Sequence, residues 1–423
     1  MSPAWLRVSQ PEGEPRFRFV DALRTVSIVW ILLLHVCFYA TFFMPRPDAD
    51  AILASWPAHA AMRGHFGLDV LFVITGFLIG YYVLVDADRG RYSFWPWLFR
   101  RMMRLVPAYF AVLVLYHFTM NFNFEYAWAN VLFVNNYLPL MHQAMSWSWS
   151  LPVDVAFYLG FPIVLLCVRD RPRRLYTALW FIFWALLVVR GVVELRGHFT
   201  LPLPFDPAHD TAAFEHYFDG MYDKTHTRIG AIVCGLMVVA LLRYHGAEAW
   251  VAARPRLASA IAVAAAAAVA AILFAPVMVG EAASYDPTWA AVYLICYNYA
   301  FAFAVACLML LLLAPPPLLR PVARVLSLGF WFVPAELCYG VFLLNPFVVL
   351  GLYRYVVHQP VPAAPWFALY ACAAIAGSFA LAYVLYVTVE RPCREWAKVF
   401  ARRFERRRRA PSRPADEEAR LGA

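Results

Sequence analysis

RFRFVDALRTVSIVWILLLHVCFYA, residues 16–40, is the first long apolar run of the chain, and it carries Asp21, Arg24 and His35 within it. A run of this length in helical form is long enough to cross a bilayer. An ionisable side chain inside a membrane segment costs about 2.5–3.5 kcal/mol on insertion scales, so each such residue is a candidate for function. Arg24 and His35 have ten residues between them. Eleven helical steps return to within about 20° of the same face, roughly 16 Å further along. One helix then offers a cation near one membrane surface and an imidazole well inside, on a single stripe. Plainer roles exist for both: Arg24 snorkelling to lipid headgroups, and His35 as an interhelical hydrogen-bonder.

The rest of the chain agrees with a membrane reading. Its 423 residues are 63% hydrophobic and only 15% charged, whereas soluble domains run at about 25% charged. The expected fold is an all-α polytopic membrane protein, since the alternating ten-residue segments of an outer-membrane barrel are not evident. The net charge of +9 sits in particular loops and is no nucleic-acid footprint. The eight cysteines fall mostly in apolar runs, with neither metal-ligand spacing nor a disulfide framework. The N-terminal apolar run is long and lacks a small-residue cleavage site, so it is not expected to be a cleavable signal.

Ten spans are expected, at about 20–43, 66–85, 106–120, 149–168, 174–193, 228–243, 257–277, 288–313, 328–352 and 364–389. The stretch 126–140 is short and interrupted by Asn135, Asn136 and Pro139, so it reads as interfacial or re-entrant. Arginines crowd every second loop: Arg89, Arg91, Arg100, Arg101 and Arg104; Arg169, Arg171, Arg173 and Arg174; Arg243, Arg254 and Arg256; Arg320 and Arg324. Residues 121–148 and 278–287 contain no Lys or Arg. By the positive-inside rule both termini are cytoplasmic. The expected divisions are a cytoplasmic segment 1–15, a transmembrane domain 16–395, and a basic, disordered or surface-bound tail 396–423.

Several polar residues lie inside or beside these spans. Asp69 and Thr75 fall in GHFGLDVLFVITGFLIG, where Gly76 and Gly80 stand four apart and favour a close helix crossing. Asp69 and His35 both belong to the outer half of the membrane. A carboxylate there can fix an imidazole tautomer, or it can simply begin a helix at the interface. Arg101 and Arg104 share a helix face, and guanidinium forks suit phosphate oxygens. They also fit ordinary loop-flanking charges. Trp147, Trp149 and Tyr158 resemble an interfacial aromatic belt, with Asp154 about a turn inside. The 194–227 segment reads as a long irregular loop; its His198, His209, His216 and His226 lack the tight spacing of a metal site. Arg228 opens the sixth span, and Glu336, Tyr339 and Asn345 lie in the ninth.

Taken together, these stretches resemble the acyltransferase-3 family of integral membrane acyltransferases. Arg24 and His35 look like its Arg-x10-His motif, and GHFGLDVLFVITGFLI is similar to its second-helix signature. RMMR resembles its RxxR element, WSLPVDVAFY its Trp-Ser-Leu motif, THTRIGAIVCG its Thr-Arg-to-Gly element, and CYGVFLLNP and VERP its closing elements. The match covers most of residues 16–395 in order. Two positions depart from it. Asp154 stands where the family commonly has Glu, and Asn345 where it commonly has His, an amide that cannot exchange a proton near neutral pH. No SGNH-type domain, which some relatives carry, is seen after the last span.

The resemblance implies transfer of an acyl group, usually acetyl, from cytoplasmic acyl-CoA to a hydroxyl of an extracytoplasmic glycan or lipid-linked saccharide. It implies a bacterial plasma or inner membrane, acyl-CoA as co-substrate, and neither cofactor nor metal nor nucleic-acid partner. His35 is then the base with Asp69 as its carboxylate partner. Arg24, Arg101 and Arg104 bind the CoA phosphates. Trp147, Trp149, Asp154, Arg228 and Asn345 surround the acceptor. Rival readings are a transporter, since intramembrane Asp, Arg and His also mark ion paths, and an inactive relative serving polysaccharide export. No inverted repeat favours the transporter.

Overall fold

The computed structural model describes residues 17–120, 124–199, 211–275, 286–355 and 363–409. Among them there is no strand. Ten helices occupy the expected spans: α1 Arg18–Phe43, α2 Phe66–Asp88, α3 Phe94–Met120, α4 Ser150–Val168, α5 Arg174–Gly197, α6 Gly230–Tyr244, α7 Pro255–Leu273, α8 Pro287–Leu313, α9 Phe332–Tyr355 and α10 Ala363–Leu385. Each corresponds to one expected span. Among the described residues eight segments are long and apolar enough to cross a membrane, and a ninth if α6 and the helix Ala247–Ala253 count as one broken span. That pair bends by 80° at Gly246, which adopts φ +62°, a left-handed conformation that costs glycine nothing. The remaining expected span forms the second half of α3. Its first half winds the arginine-rich residues from Phe94 onward into the same helix, where a loop was expected.

Three expectations are corrected or refined. Residues 124–149 form only a five-residue helix, Ala127–Val131, and three 3-10 turns, so this stretch does not span. The supposed irregular loop before Arg228 is largely helical where described: Thr211–Tyr217, a π-turn Phe218–Tyr222, and Thr225–Arg228. His209 lies outside the described residues. The first residues of the expected tail, 396–409, belong to a helix, α11 Arg391–Arg409. Phe99 of α3 packs on Trp396 and Phe400, and this apolar edge gives the basic stretch a reason to fold. Residues 410–423 and 1–15 lie outside the described residues.

Packing centres on α1, α2, α6 and α9. In lipid, helices gain by close van der Waals contact rather than by escaping water, so small residues mark the crossings. The α2–α6 crossing is reciprocal: a Cβ on Gly76 would run into the Ile232 carbonyl, and one on Gly235 into the Val73 carbonyl. Either substitution would push the two backbones apart. α1 packs between α2 and α9. A Cβ on Gly64 or Gly67 would meet the α1 carbonyls of Trp30 and Ser27.

Candidate active site

Among the described residues, two cavities within the bundle bring the expected site residues together. One, of about 180 Å³, is lined by Arg24, Arg101, Arg104, Asp154, Tyr158 and Tyr339, with apolar side chains of α2. The other, of about 510 Å³, is lined by His35, Tyr39, Tyr116, Trp147, Trp149 and Tyr222, among others. Their order along the chain shows that they are stacked. On α1, α3 and α9 the arginine cavity takes the earlier residues (Arg24, Arg101, Tyr339) and the histidine cavity the later ones (His35, Tyr116, Leu350). α2 and the segment Ser146–Val168 run the other way, with Trp147 and Trp149 on the histidine side and Asp154 and Tyr158 on the arginine side. Five antiparallel-alternating elements thus surround one axis. The stripe from Arg24 to His35 follows it, as the helical spacing requires.

The His35 ring is oriented by Asn345. The cause lies in α9, where Pro346 has no N–H and therefore leaves the carbonyl of Phe342, four residues back, without its helical partner. The Asn345 Nδ2 fills that gap, donating to Phe342 O and Val341 O, both at 2.9 Å. With the amide nitrogen so occupied, Oδ1 faces α1 and lies 2.5 Å from His35 Nδ1. An oxygen can only accept, so a neutral His35 carries its proton on Nδ1. Its Nε2 lone pair is then left for a proton, on a side chain that lines the larger cavity. Asn345, expected among the acceptor ligands, is instead the partner of the imidazole.

Asp69, the expected partner, is engaged elsewhere. Its carboxylate pairs with Arg228 at 3.2 Å and accepts from Asn298 Nδ2 at 2.8 Å, all three residues being buried. The Arg228 guanidinium lies over both Trp149 and Tyr222, 5.2 and 5.1 Å from their centroids, where the two rings meet edge to face at 5.1 Å. Arg228 therefore stands behind the cavity wall as the counter-ion of Asp69. An interhelical ion pair of this kind needs the azimuths of α2 and α6 together, which a single helix pattern does not supply. The sequence reading also passes over Arg190, buried in α5. Its guanidinium donates to the carbonyls of Leu294, Ile295 and Thr227 at 2.6–2.9 Å, tying α5 and α8 to the turn that presents Arg228. An arginine inside a span was the available signal.

The other expected acceptor residues divide between the cavities. Trp147 and Trp149 are buried rather than in a surface belt, because the 3-10 turn Ser146–Trp149 tucks them inward and Trp147 Nε1 donates to Leu343 O at 3.2 Å. Asp154 lines the arginine cavity, not the tryptophan one, since it lies on α4 beyond the turn. Beside the arginine cavity, Arg394 at the start of α11 pairs with Glu336 at 3.0 Å and Glu390 at 2.8 Å. Arg104 and Arg24 also act on the Glu336 carboxylate. Arg24, Arg101 and Arg104 line the cavity with one carboxylate, Asp154, so an anion there would meet a net positive cluster.

The histidine cavity is roofed by two segments held together by polar contacts. Leu140 N donates to Asp219 at 2.8 Å, Gln143 Nε2 to Asp223 at 2.9 Å, and Asn136 Nδ2 to Asp223 O at 3.0 Å. Lys224 lies 2.8 Å from the Asp223 carboxylate. Burial pushes the Asp223 carboxyl up to about 7, with Lys224 and Gln143 pulling the other way.

The site belongs to a polytopic helical membrane protein with an arginine cluster at one level and an oriented histidine at another, and comparison with known proteins places it among the acyltransferases. The acyltransferase-3 family model, described as an acyltransferase domain, matches residues 17–383, and the chain belongs to that family. It is similar to O-acetyltransferase OatA of Staphylococcus aureus (strain NCTC 8325 / PS 47), 27% identical over 192 residues, covering 38% of this chain and 27% of that protein. It is also similar to the peptidoglycan O-acetyltransferase OatA of Listeria monocytogenes, 25% identical over 170 residues, covering 35% of this chain and 24% of the relative. An uncharacterized protein of Haemophilus influenzae is 30% identical over 125 residues, covering 25% of this chain and 51% of that one. The chain thus spans about a quarter of the length of the OatA proteins it matches. No solved structure matches.

Proposed function

We propose that the protein moves an acyl group, acetyl in the first instance, from acyl-CoA on the cytoplasmic side to a hydroxyl of a glycan or lipid-linked saccharide on the other. Both termini lie in the cytoplasm of a bacterium bounded by this inner or plasma membrane. The observation that carries the reading is the stacking of an arginine cavity and a histidine cavity along one axis. Arg24, Arg101 and Arg104 hold the CoA phosphates, because guanidinium forks match phosphate oxygens. The pantetheine arm runs along the α1 stripe, whose length of roughly 16 Å suits it. The acceptor enters the histidine cavity, where Trp147 and Trp149 offer faces to a sugar.

The chemistry is a single displacement. The acceptor hydroxyl gives its proton to His35 Nε2 while its oxygen attacks the thioester carbonyl. The C–S bond then breaks, and the CoA sulfur takes the proton back from the imidazolium. Asn345 holds the tautomer throughout, and because the arm spans the gap from Arg24 to His35 the acceptor attacks the thioester directly, without an acyl-enzyme. The O-acetyltransferase names of the relatives support acetyl as the group and a cell-wall or surface glycan as the acceptor. Mass spectrometry of surface glycans from strains with and without the gene tests the reading. A lost acyl mass supports it, and unchanged glycans refute it.

A further inference from the structure

The two cavities meet at two side chains. Leu68 of α2 and Phe342 of α9 line both, and among the described residues no other does. Both are buried apolar side chains, 7% and 6% exposed. They also lie at the level where the elements pass from one cavity to the other: Phe342 follows Cys338 and Tyr339 of the arginine cavity and precedes Leu350 of the histidine cavity.

Each is anchored by the buried polar network. Leu68 immediately precedes Asp69, whose carboxylate is fixed by Arg228 and Asn298. The Phe342 carbonyl accepts from the same Asn345 amide that orients His35. Both residues are thus tied into the buried network, and their side chains are surfaces that the two cavities share. The histidine cavity, at about 510 Å³, is in the range of drug-sized pockets and has room for more than two acyl carbons.

We propose that Leu68 and Phe342 form the partition through which the donor's acyl end must pass, and that they set the length of acyl chain transferred. This rests on the acyl-transfer reading above, and it adds that selection occurs at the junction rather than in the chamber where the acyl group reacts. In the absence of a donor the same pair separates the two cavities. The acyl–pantetheine end displaces the side chains as it advances, and a longer or bulkier acyl group meets them for longer.

The test uses membrane vesicles from a host carrying the gene, which bring their own acceptor, supplied with radiolabelled acetyl-CoA or butyryl-CoA. Leu68→Ala and Phe342→Ala are compared with the parent, and Leu68→Val and Phe342→Leu guard against misfolding. Binding of free CoA confirms that each variant is folded. The widened variants are expected to raise the butyryl-to-acetyl ratio of kcat/KM by about tenfold, the scale of discrimination that one or two methylenes carry in an apolar passage. Variants that bind CoA and transfer acetyl with the parent's ratio overturn the partition. So do CoA-binding variants that transfer neither group. A parent that incorporates no label from either donor, in vesicles where CoA binds, counts instead against the acyl-transfer reading itself.

Discussion

His35 Nδ1 and Asn345 Oδ1 meet at 2.5 Å, from helices whose contacting residues are 310 positions apart in the chain. The Asn345 amide is held by α9 carbonyls, one of them freed by Pro346, so the contact fixes which imidazole nitrogen can accept a proton. Asn345→Ala removes that control. It is expected to lower kcat by about ten- to a hundredfold, the scale of one lost buried hydrogen bond, with acyl-CoA affinity close to the parent's. Steady-state kinetics on the purified variant check it. A parent-like kcat in Asn345→Ala would show that the amide does not control the His35 tautomer.

The arginine cluster predicts a salt-sensitive donor site. Replacing Arg24, Arg101 or Arg104 by Gln weakens acyl-CoA binding, and the triple variant abolishes measurable affinity. Added salt weakens the parent, though less steeply than at an exposed site, because the cavity is partly screened from solvent. Lysine rescues only in part, since it lacks the planar fork. Isothermal titration with CoA reads all three effects, and parent-like affinity in the triple variant would remove the phosphates from this site.

Asp69 is placed by the structure as a counter-ion, not as a partner of His35. Asp69→Ala leaves the Arg228 guanidinium buried without its carboxylate, a loss of about 3–5 kcal/mol for a broken buried pair. Reduced yield and a lower melting temperature in detergent are expected, and they should exceed those of His35→Ala. A stable Asp69→Ala protein that has lost only turnover would restore the catalytic role.

The roof of the histidine cavity should respond to pH. Asp223 has a folded pKa of about 7, above the usual carboxylate value of about 3.9. Between those values the folded protein binds the extra proton, so this group's contribution to stability falls as pH rises from about 4 to about 7. Asp223→Asn removes the titration. The parent's melting temperature is expected to fall more steeply than the variant's across that interval. Parallel pH profiles would show that Asp223 does not titrate there.

Much of the architecture was legible because hydropathy is local. All ten expected spans appear as long helices, and the Arg24–His35 stripe follows from the helical repeat of one segment. The Gly76 crossing was equally visible. The relative rotation of different helices was not. Asp69 faces Arg228 and Asn298 instead of His35, and Asp154 lines the opposite cavity from Trp147 and Trp149, because a 3-10 turn precedes α4. The Asn345–Pro346 pair held a readable clue, since a proline inside a span leaves a carbonyl that a neighbouring amide can take. Its contact with His35 still required the fold.

The central claim is that His35 takes the acceptor proton, and the most direct measurement is transfer by His35→Ala. Vesicles bearing the parent or the variant are given radiolabelled acetyl-CoA, and label is counted in extracted glycan alongside CoA binding to the same preparation. The account predicts label in the parent's glycan, and parent-like CoA binding with no transfer above background in His35→Ala. Near-parent transfer by His35→Ala would contradict it.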